Sequence, residues 1–237
     1  MPLRRTERCA SFRRVHVMPY RLHDDLSFCR VDDGLIFLDV GHDRYFRLPP
    51  HLERALINYL EQDAASDITS LVERQILTDA AAQSGHEPVS ALPVPARSAI
   101  ERPIPLRGTR ILAALEVLAI VGTVRRQLRQ RPLKDVLAAL MAARHRGQPQ
   151  PPEEDEARLI ETIDTFRRAR PYVPIEPVCL LDSIALTHFL ARRGLRVHIV
   201  FGVTAEPFSA HCWVQAADMV LNDTVGHATS YTQIRVF

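Results

Sequence analysis

Residues 177–225 constrain the fold more than any other part of the chain, because helix and strand signals follow one another there without long interruptions. Pro177 suits a first helical position, and Gly194 suits a left-handed helix end. Between them lies an apolar face at helical spacing, made of Leu181, Ile184, Ala185, Leu186 and Phe189. Strands are predicted to follow at residues 197–203, 211–216 and 219–222. This order predicts a mixed, α+β fold for the C-terminal half.

Three side chains suited to cysteine hydrolase chemistry fall at the ends of these elements. Cys179 opens the helix, His211 begins the second strand and Asp223 follows the third. Unpaired N–H groups and the positive end of the helix dipole favour a thiolate at a helix start. His211 can then act as general base, while Asp223 holds the imidazole tautomer and orientation. The pattern predicts a Cys-His-Asp triad. No motif identifies the oxyanion hole, for which the backbone N–H of Cys179 is the default candidate.

Two other interpretations of these residues compete with the triad. A lone cysteine in a helix is more often a small buried apolar residue than a nucleophile, but the joint placement of all three groups favours catalysis. Zinc ligands are available in Cys179, Cys212, His211 and Asp223. However, the adjacent residues His211 and Cys212 would point to opposite faces of a strand, and the sequence contains no Cys-x-x-Cys pair. We therefore predict no metal site.

The same elements resemble the transglutaminase-like leader peptidases of lasso-peptide biosynthesis, which include the microcin-processing proteins. The resemblance lies in PVCLLDSIALTHFLARRG, RVHIVFGV, AHCWVQ and LNDT, and it covers roughly the C-terminal half. It implies a transglutaminase-like, papain-like cysteine protease domain at residues 106–237 that removes the leader from a ribosomally made precursor peptide. Cys179, His211 and Asp223 would be its nucleophile, base and orienting acid. It also implies an ATP-dependent, asparagine synthetase-like cyclase as partner, and no cofactor.

The N-terminal 82 residues predict a small unit of strands followed by helices. Strands are expected around Val15 and Val17, at residues 35–40 and at 45–48, with a turn at Gly41–Asp43. Helices are expected at residues 50–61, 67–75 and near 78–83. The segment FLDVGHDRYFRLPP resembles the peptide-recognition domain of the pyrroloquinoline quinone chaperone type. That resemblance implies a winged-helix-like domain with a three-stranded sheet.

A three-stranded sheet has an edge that can accept an extended peptide as a further strand. If this unit follows the domains that it resembles, the leader lies along residues 44–48 of this chain and against the helix carrying Leu71 and Leu77. The candidate leader-binding residues are Arg44, Tyr45, Phe46, Arg47, Leu48, Leu71 and Leu77. Arg44 and Arg47 would favour acidic leader residues. The alternative is that these side chains have only a structural role, in the core and on the surface of a small domain.

Residues 83–105 carry five prolines and little periodicity, which predicts a stiff, extended linker between the two domains. Such a tether would raise the effective concentration of a bound leader near Cys179 to about the millimolar range. Beyond it, helices are predicted at 133–144 and 156–169. The apolar run at 111–121 is shorter than the roughly 20 residues of a membrane helix, so it predicts a core helix. Arginines 125, 126, 129 and 131 are expected to solvate the exposed side of that helical region.

Composition excludes several classes of function. The net charge is only +2 over 237 residues, which gives no reason to expect a nucleic-acid partner. Four scattered cysteines form no disulfide framework, and the N-terminus has no apolar run long enough for a signal peptide. We expect a cytoplasmic protein without a membrane partner. Two further functions stay open: a transglutaminase-like acyltransferase or amidase using the same triad, and a non-catalytic adaptor that binds the precursor.

Overall fold

The computed structural model describes residues 19–61, 68–80, 91–103, 108, 111–144 and 152–237. The helices are α1 (Pro50–Leu60), α2 (Thr69–Glu73), α3 (Ile111–Gln130), α4 (Leu133–Arg144), α5 (Pro152–Ala169), α6 (Cys179–Ala191) and α7 (Val225–Thr229). The strands are β1 (Tyr20–Leu22), β2 (Leu26–Val31), β3 (Gly34–Asp39), β4 (Arg44–Phe46), β5 (Leu77–Asp79), β6 (Arg97–Ser98), β7 (His198–Thr204), β8 (Ser209–Ala216), β9 (Met219–Val220) and β10 (Thr232–Val236). The predicted α+β class is confirmed.

The N-terminal unit is built around an antiparallel sheet with the strand order β2-β3-β4. The predicted turn between β3 and β4 is present, and Gly41 is needed there because a Cβ atom would lie 2.6 Å from Oδ2 of Asp25. A separate two-stranded sheet pairs β1 with β5. Helix α1 lies where the sequence predicted it, while α2 is shorter than expected.

Several local predictions for this unit differ from the structure. Strand β2 was not predicted, although it pairs with β3 along its whole length. Leu77 was expected on a helix but begins strand β5, where it pairs with Leu22 of β1. Strands β1 and β5 have only three residues each, too few to show a clear two-residue period. The strand expected around Val15 and Val17 lies outside the described residues, as do residues 81–83.

Both faces of the β2-β3-β4 sheet are buried. Leu35 and Phe37 pack on one side with Leu56 of α1 and Leu71 of α2. The opposite face belongs to the main core of the C-terminal half, to which it contributes Cys29, Ile36, Leu38 and Val40. A strand buried on both faces reads as a continuous apolar run rather than an alternating one, as in the LIFL segment of β3. The two halves of the chain therefore share a hydrophobic core.

The C-terminal half is a five-stranded sheet with the order β10-β7-β8-β9-β6, and helix α6 packs against it. Helix α6 is apolar nearly all round because α3, α4 and α5 contact it on its other sides. On the sheet, Trp213 is fully buried with Val200 and Val220. Gly202 makes room for this ring, since a Cβ atom at that position would lie 2.7 Å from the Trp213 indole.

The second half of the predicted linker is part of this five-stranded sheet. Strand β6 pairs in parallel with β9, and the following residue, Ala99, is buried. Arg167 of α5 donates hydrogen bonds to the backbone carbonyls of Ala99 and Ile100. Pro93, Pro95 and Pro103 flank this strand but do not interrupt it, which fits an edge position. Residues 91–103 are therefore not an extended tether.

Helix α3 differs from the predicted short core helix. It runs for 20 residues, and its buried side is formed by Val117, Ile120, Val121 and Val124. Much of the apolar surface of its first half is exposed instead, at Ile111, Leu112, Leu115 and Leu118. Within the described ranges, no helix has the length and hydropathy needed to cross a bilayer.

Candidate active site

The first residue of α6 is Cys179, and its side chain is exposed while most of the following helix is buried. Val178, with an extended backbone, is the N-cap, so Pro177 lies one residue before the cap rather than at the predicted first helical position. Gly194 has a φ of +76°, the left-handed conformation expected after the helix end. The helix thus presents a thiol at its positive end, where a thiolate is favoured.

His211 lies on β8 opposite Gly202 of β7, two residues later in the strand than predicted. Its Nε2 atom is 2.6 Å from Oδ2 of Asp223, so Nδ1 is the nitrogen left for Cys179. The imidazole ring contacts two aromatic rings, with centroid distances of 6.0 Å to Trp213 and 5.1 Å to Tyr231. These contacts restrict the ring's rotation and support its orientation towards Cys179.

Asp223 follows β9 and accepts hydrogen bonds at both carboxylate oxygens. Oδ1 accepts from the backbone N–H of Thr224 at 2.7 Å, and Oδ2 accepts from His211 and also from Nδ1 of His227, at 2.8 Å. Its backbone carbonyl accepts from the Ser98 hydroxyl at 2.6 Å. The acid is therefore held by α7, by β6 and by the imidazole that it orients.

The electrostatics of these residues favour an ion pair between Cys179 and His211. The hydrogen bond with His211 is the main reason why the pKa of Cys179 is lowered, and the backbone N–H groups of Cys212 and Leu180 add to it. Burial alone would lower the pKa of His211, but hydrogen bonds and charge interactions with Asp223 and Cys179 outweigh it and raise that pKa to about 9. For Asp223, hydrogen bonds from the two histidines outweigh burial and lower the pKa. A thiolate, an imidazolium and a carboxylate are the forms these shifts stabilise.

A buried polar network fixes α6 to β8 behind the site. Asn222 accepts a hydrogen bond from the backbone N–H of Val214 at 2.7 Å and donates to Ser183 of α6 at 2.9 Å. The Ser183 hydroxyl donates in turn to the carbonyl of Cys212 at 3.1 Å. Because Cys179 is on α6 and His211 is on β8, this network holds the two elements that carry the reacting groups in register.

Sequence reasoning missed His227, Tyr231 and Ser98 as parts of this site. His227 lies four residues after Asp223 on the short helix α7, which is capped by the Thr224 hydroxyl. That spacing on a helix starting right after the acid was the available signal. Nothing in the sequence indicated Ser98, because its contact spans 125 residues and depends on the unexpected strand β6.

The metal ligands considered from the sequence do not assemble as one set. Cys212 is 3% exposed and belongs to the main core, and burial raises its pKa. Among the described residues, His211, Asp223 and His227 do have potential ligand atoms within 4.8 Å of one another. Their actual separations, 2.6 and 2.8 Å from Oδ2 to the two nitrogens, are hydrogen-bond distances. The geometry therefore fits an imidazole–carboxylate–imidazole network, and the absence of a metal stays a prediction.

The predicted leader-binding residues divide into exposed and buried groups. Arg44 and Arg47 are exposed, and strand β4 is at the edge of its sheet within the described residues. The other candidates are wholly or partly buried: Tyr45, Phe46, Leu48, Leu71 and Leu77. Leu71 and Leu77 are 0% and 2% exposed, so their burial does not fit the expected direct contact with a ligand. Their place is the core beneath the sheet.

Strand β4 contacts the C-terminal half through Tyr45. This ring points to the face of the sheet that meets the C-terminal half and contacts Phe208, with 5.7 Å between centroids. Burial raises the pKa of Tyr45, and negative charge at Cys212 and Asp43 raises it further. A cleft of about 770 Å³ adjoins the end of β4 and is lined by Arg47, Leu48, Glu53 and Glu206, among others.

Comparisons with known proteins agree with this arrangement. Residues 117–236 match the family described as the transglutaminase-like superfamily. The microcin J25-processing protein McjB of Escherichia coli is 42% identical to this chain over 45 residues, which are 19% of this chain and 22% of that relative. The chain thus matches about a fifth of that relative's length. No solved structure matches significantly. Because the family match includes the elements that carry all three reacting side chains and covers half of the sequence, the chain belongs to the transglutaminase-like superfamily.

Proposed function

We propose that this protein is a cysteine peptidase that removes the leader from a ribosomally synthesised precursor peptide during lasso-peptide maturation. The observation that carries the proposal is the Cys179–His211–Asp223 arrangement, with Nε2 of His211 2.6 Å from Asp223 and the thiol at a helix start. The superfamily match and the local similarity to a microcin-processing protein support this substrate class. The freed core would pass to an ATP-dependent, asparagine synthetase-like cyclase.

In the proposed reaction the Cys179 thiolate attacks the carbonyl carbon of the scissile peptide bond. The backbone N–H of Cys179 is the candidate donor to the oxyanion. The imidazolium of His211 then gives its proton to the leaving amine, and the C–N bond breaks to leave a thioester between the leader and Cys179. Water attacks the thioester, with His211 taking its proton, and the leader leaves with a free carboxylate. Asp223 keeps the imidazole oriented through both steps.

The proposed leader site is the free edge of strand β4. An extended peptide could add to this edge, with Arg44 and Arg47 exposed beside it to attract acidic leader residues. Arg44 is already 3.2 Å from Asp39, so Arg47 is the better candidate for a new ion pair. Leu71 and Leu77 would support this sheet from the core instead of touching the leader.

The test is mass spectrometry of a candidate precursor incubated with the wild-type protein or with Cys179→Ala. Each reaction is run with and without the partner cyclase and ATP. We expect the wild type to release leader and core and the variant to release neither. Cys29→Ala, at a buried cysteine in the main core, is the matched cysteine control and should still cleave. Binding without cleavage by the wild type under all conditions would contradict the peptidase and favour an adaptor.

Acyl transfer is the second candidate, because the superfamily takes its description from transglutaminases and the thioester intermediate is the same. An added primary amine separates the two reactions. A peptidase should release the leader mainly as its free acid, whereas an acyltransferase should release a leader–amine conjugate, and the two products differ in mass.

A further inference from the structure

A second cleft, of about 320 Å³, lies beside the nucleophile on the side of α3. Its lining residues are Arg125, Leu128, Arg129, Ile175, Glu176, Val178, Leu180 and Leu181. Val178 and Leu180 are the two chain neighbours of Cys179, so the cleft adjoins the start of α6, although the thiol itself is not part of its lining. Val178 is 52% exposed, so its side chain is accessible to a bound substrate.

Two arginines on this cleft have no hydrogen-bond or ion-pair partner among the residues that the structure describes. Arg125 and Arg129 lie one helical turn apart and are exposed. Across the described part of the chain, neither forms a hydrogen bond or an ion pair. Other arginines nearby are engaged: Arg126 donates to Gln130, and Arg193 donates to Glu116. Glu176 also lines the cleft, but it does not pair with either free guanidinium group.

The chemistry of the cleft therefore combines an apolar wall with unpaired positive charge. Leu128, Ile175 and Val178 can cover the methylene groups of a short side chain, while guanidinium groups bind carboxylates in a planar, bidentate geometry. A neutral or basic side chain would leave both arginines without a partner. An aspartate or glutamate is the side chain that fits both parts.

We propose that this cleft is a substrate subsite that accepts an acidic side chain close to the scissile bond. The proposal rests on the proposed role of Cys179 as a peptidase nucleophile. Arg125 and Arg129 would act as specificity residues, distinct from the arginines beside strand β4 that are proposed for the leader. The competing explanation is that both arginines only form the solvent-exposed side of α3. Arg129 also lies in the last turn of that helix, where the helix dipole favours a positive charge.

Alkylation of Cys179 tests the subsite without knowledge of the natural substrate. Two bromoacetyl dipeptide amides, identical except for glutamate or glutamine, are compared by their second-order rates, with the modified residue identified by peptide mapping. We expect wild type to react about three- to tenfold faster with the glutamate probe at low salt, and less so at high salt. The preference should disappear in the double variant Arg125→Gln/Arg129→Gln and persist in Arg126→Gln, the control on the same helix.

Two outcomes separate this proposal from the proposed function. If Cys179 reacts rapidly with iodoacetamide but shows no glutamate preference, or keeps the preference in the double variant, the subsite is wrong and the nucleophile stands. If Cys179 reacts with iodoacetamide no faster than an ordinary thiol, the catalytic role itself fails. The iodoacetamide rate also shows whether each variant retains a folded site. Arg125→Lys/Arg129→Lys should keep part of the preference, because it keeps the charge but loses the bidentate geometry.

Discussion

At Asp223, a single carboxylate oxygen accepts hydrogen bonds from the imidazole rings of His211 and His227. The two rings are 4.6 Å apart between centroids. His227 is half exposed and far less enclosed than His211, so solvent can reach it while it holds the carboxylate. We infer that His227 is a positioning residue, which acts on His211 only through Asp223.

Replacing His227 by phenylalanine should keep a ring but remove the donor to Asp223. We expect kcat for cleavage to fall about tenfold to a hundredfold, because a loosened carboxylate orients His211 poorly. The negative charge on Oδ2 would then be shared with fewer donors, so the pKa of His211 should rise further. The pH dependence of Cys179 alkylation reports that shift, which a purely structural role of His227 would not produce. His227→Gln, which retains an N–H donor, should recover part of the activity.

The Cys179–His211 pair predicts a bell-shaped pH dependence of kcat/KM. The pKa of Cys179 is lowered, so the thiolate should persist as pH falls through the ordinary thiol range and be lost only below it. The pKa of His211 is raised to about 9, so the imidazolium should lose its proton as pH rises through that value. Activity should therefore fall on both sides of this window. A single rise near the pKa of a free thiol would contradict the ion pair.

Among the elements, β6 contributes to the site although it lies far from the triad in sequence. Ser98→Ala removes the hydrogen bond to the Asp223 carbonyl, and we expect kcat to fall about two- to tenfold. Arg97→Ala is the matched control on the same strand. Its ion pairs with Glu156 and Asp218 are exposed, so its loss should change neither kcat nor stability much. Equal effects of the two substitutions would show that β6 matters only for folding.

The elements of the site were predictable from the sequence where a hydrophobic pattern marks a helix or strand and the candidate residue lies within it or at its end. Cys179 at the start of an apolar helix, His211 on a strand and Asp223 after the next strand could be placed by periodicity alone. Strand β6 could not, because two residues among prolines have no period. The exposed apolar side of α3 could not be predicted either, since a continuous apolar run does not show which of its faces packs against another element.

Across the whole molecule, the shared core should make the two halves unfold together. Leu38 is on the N-terminal sheet, 1% exposed, and part of the main core formed with the C-terminal half. Leu38→Ala should therefore destabilise the entire protein, by about 2–5 kcal/mol. Calorimetry should show one transition that moves to lower temperature as a unit. Two separate transitions, with only one of them shifted, would contradict the shared core.

This shared core could have been suspected from β3. Its run LIFL does not alternate, which for an antiparallel strand indicates that both faces are covered. The sequence interpretation placed helices after the strands without assigning a covering element to each face of the sheet, and the prolines of residues 83–105 then favoured separate domains. A periodic pattern specifies that a face is buried, but the identity of the covering element depends on contacts distant in sequence.

The chain has one tryptophan, Trp213, two residues after His211 on β8, with 6.0 Å between the ring centroids and a 22° angle between the two ring planes. An excited indole can transfer an electron to a protonated imidazole but not to a neutral one. The charge on His211 should therefore control the fluorescence intensity of Trp213. We expect emission to be quenched at neutral pH and to increase as pH passes about 9. His211→Asn should be bright throughout. Trp213 fluorescence should thus report the protonation state of His211, which can be measured before any substrate is identified.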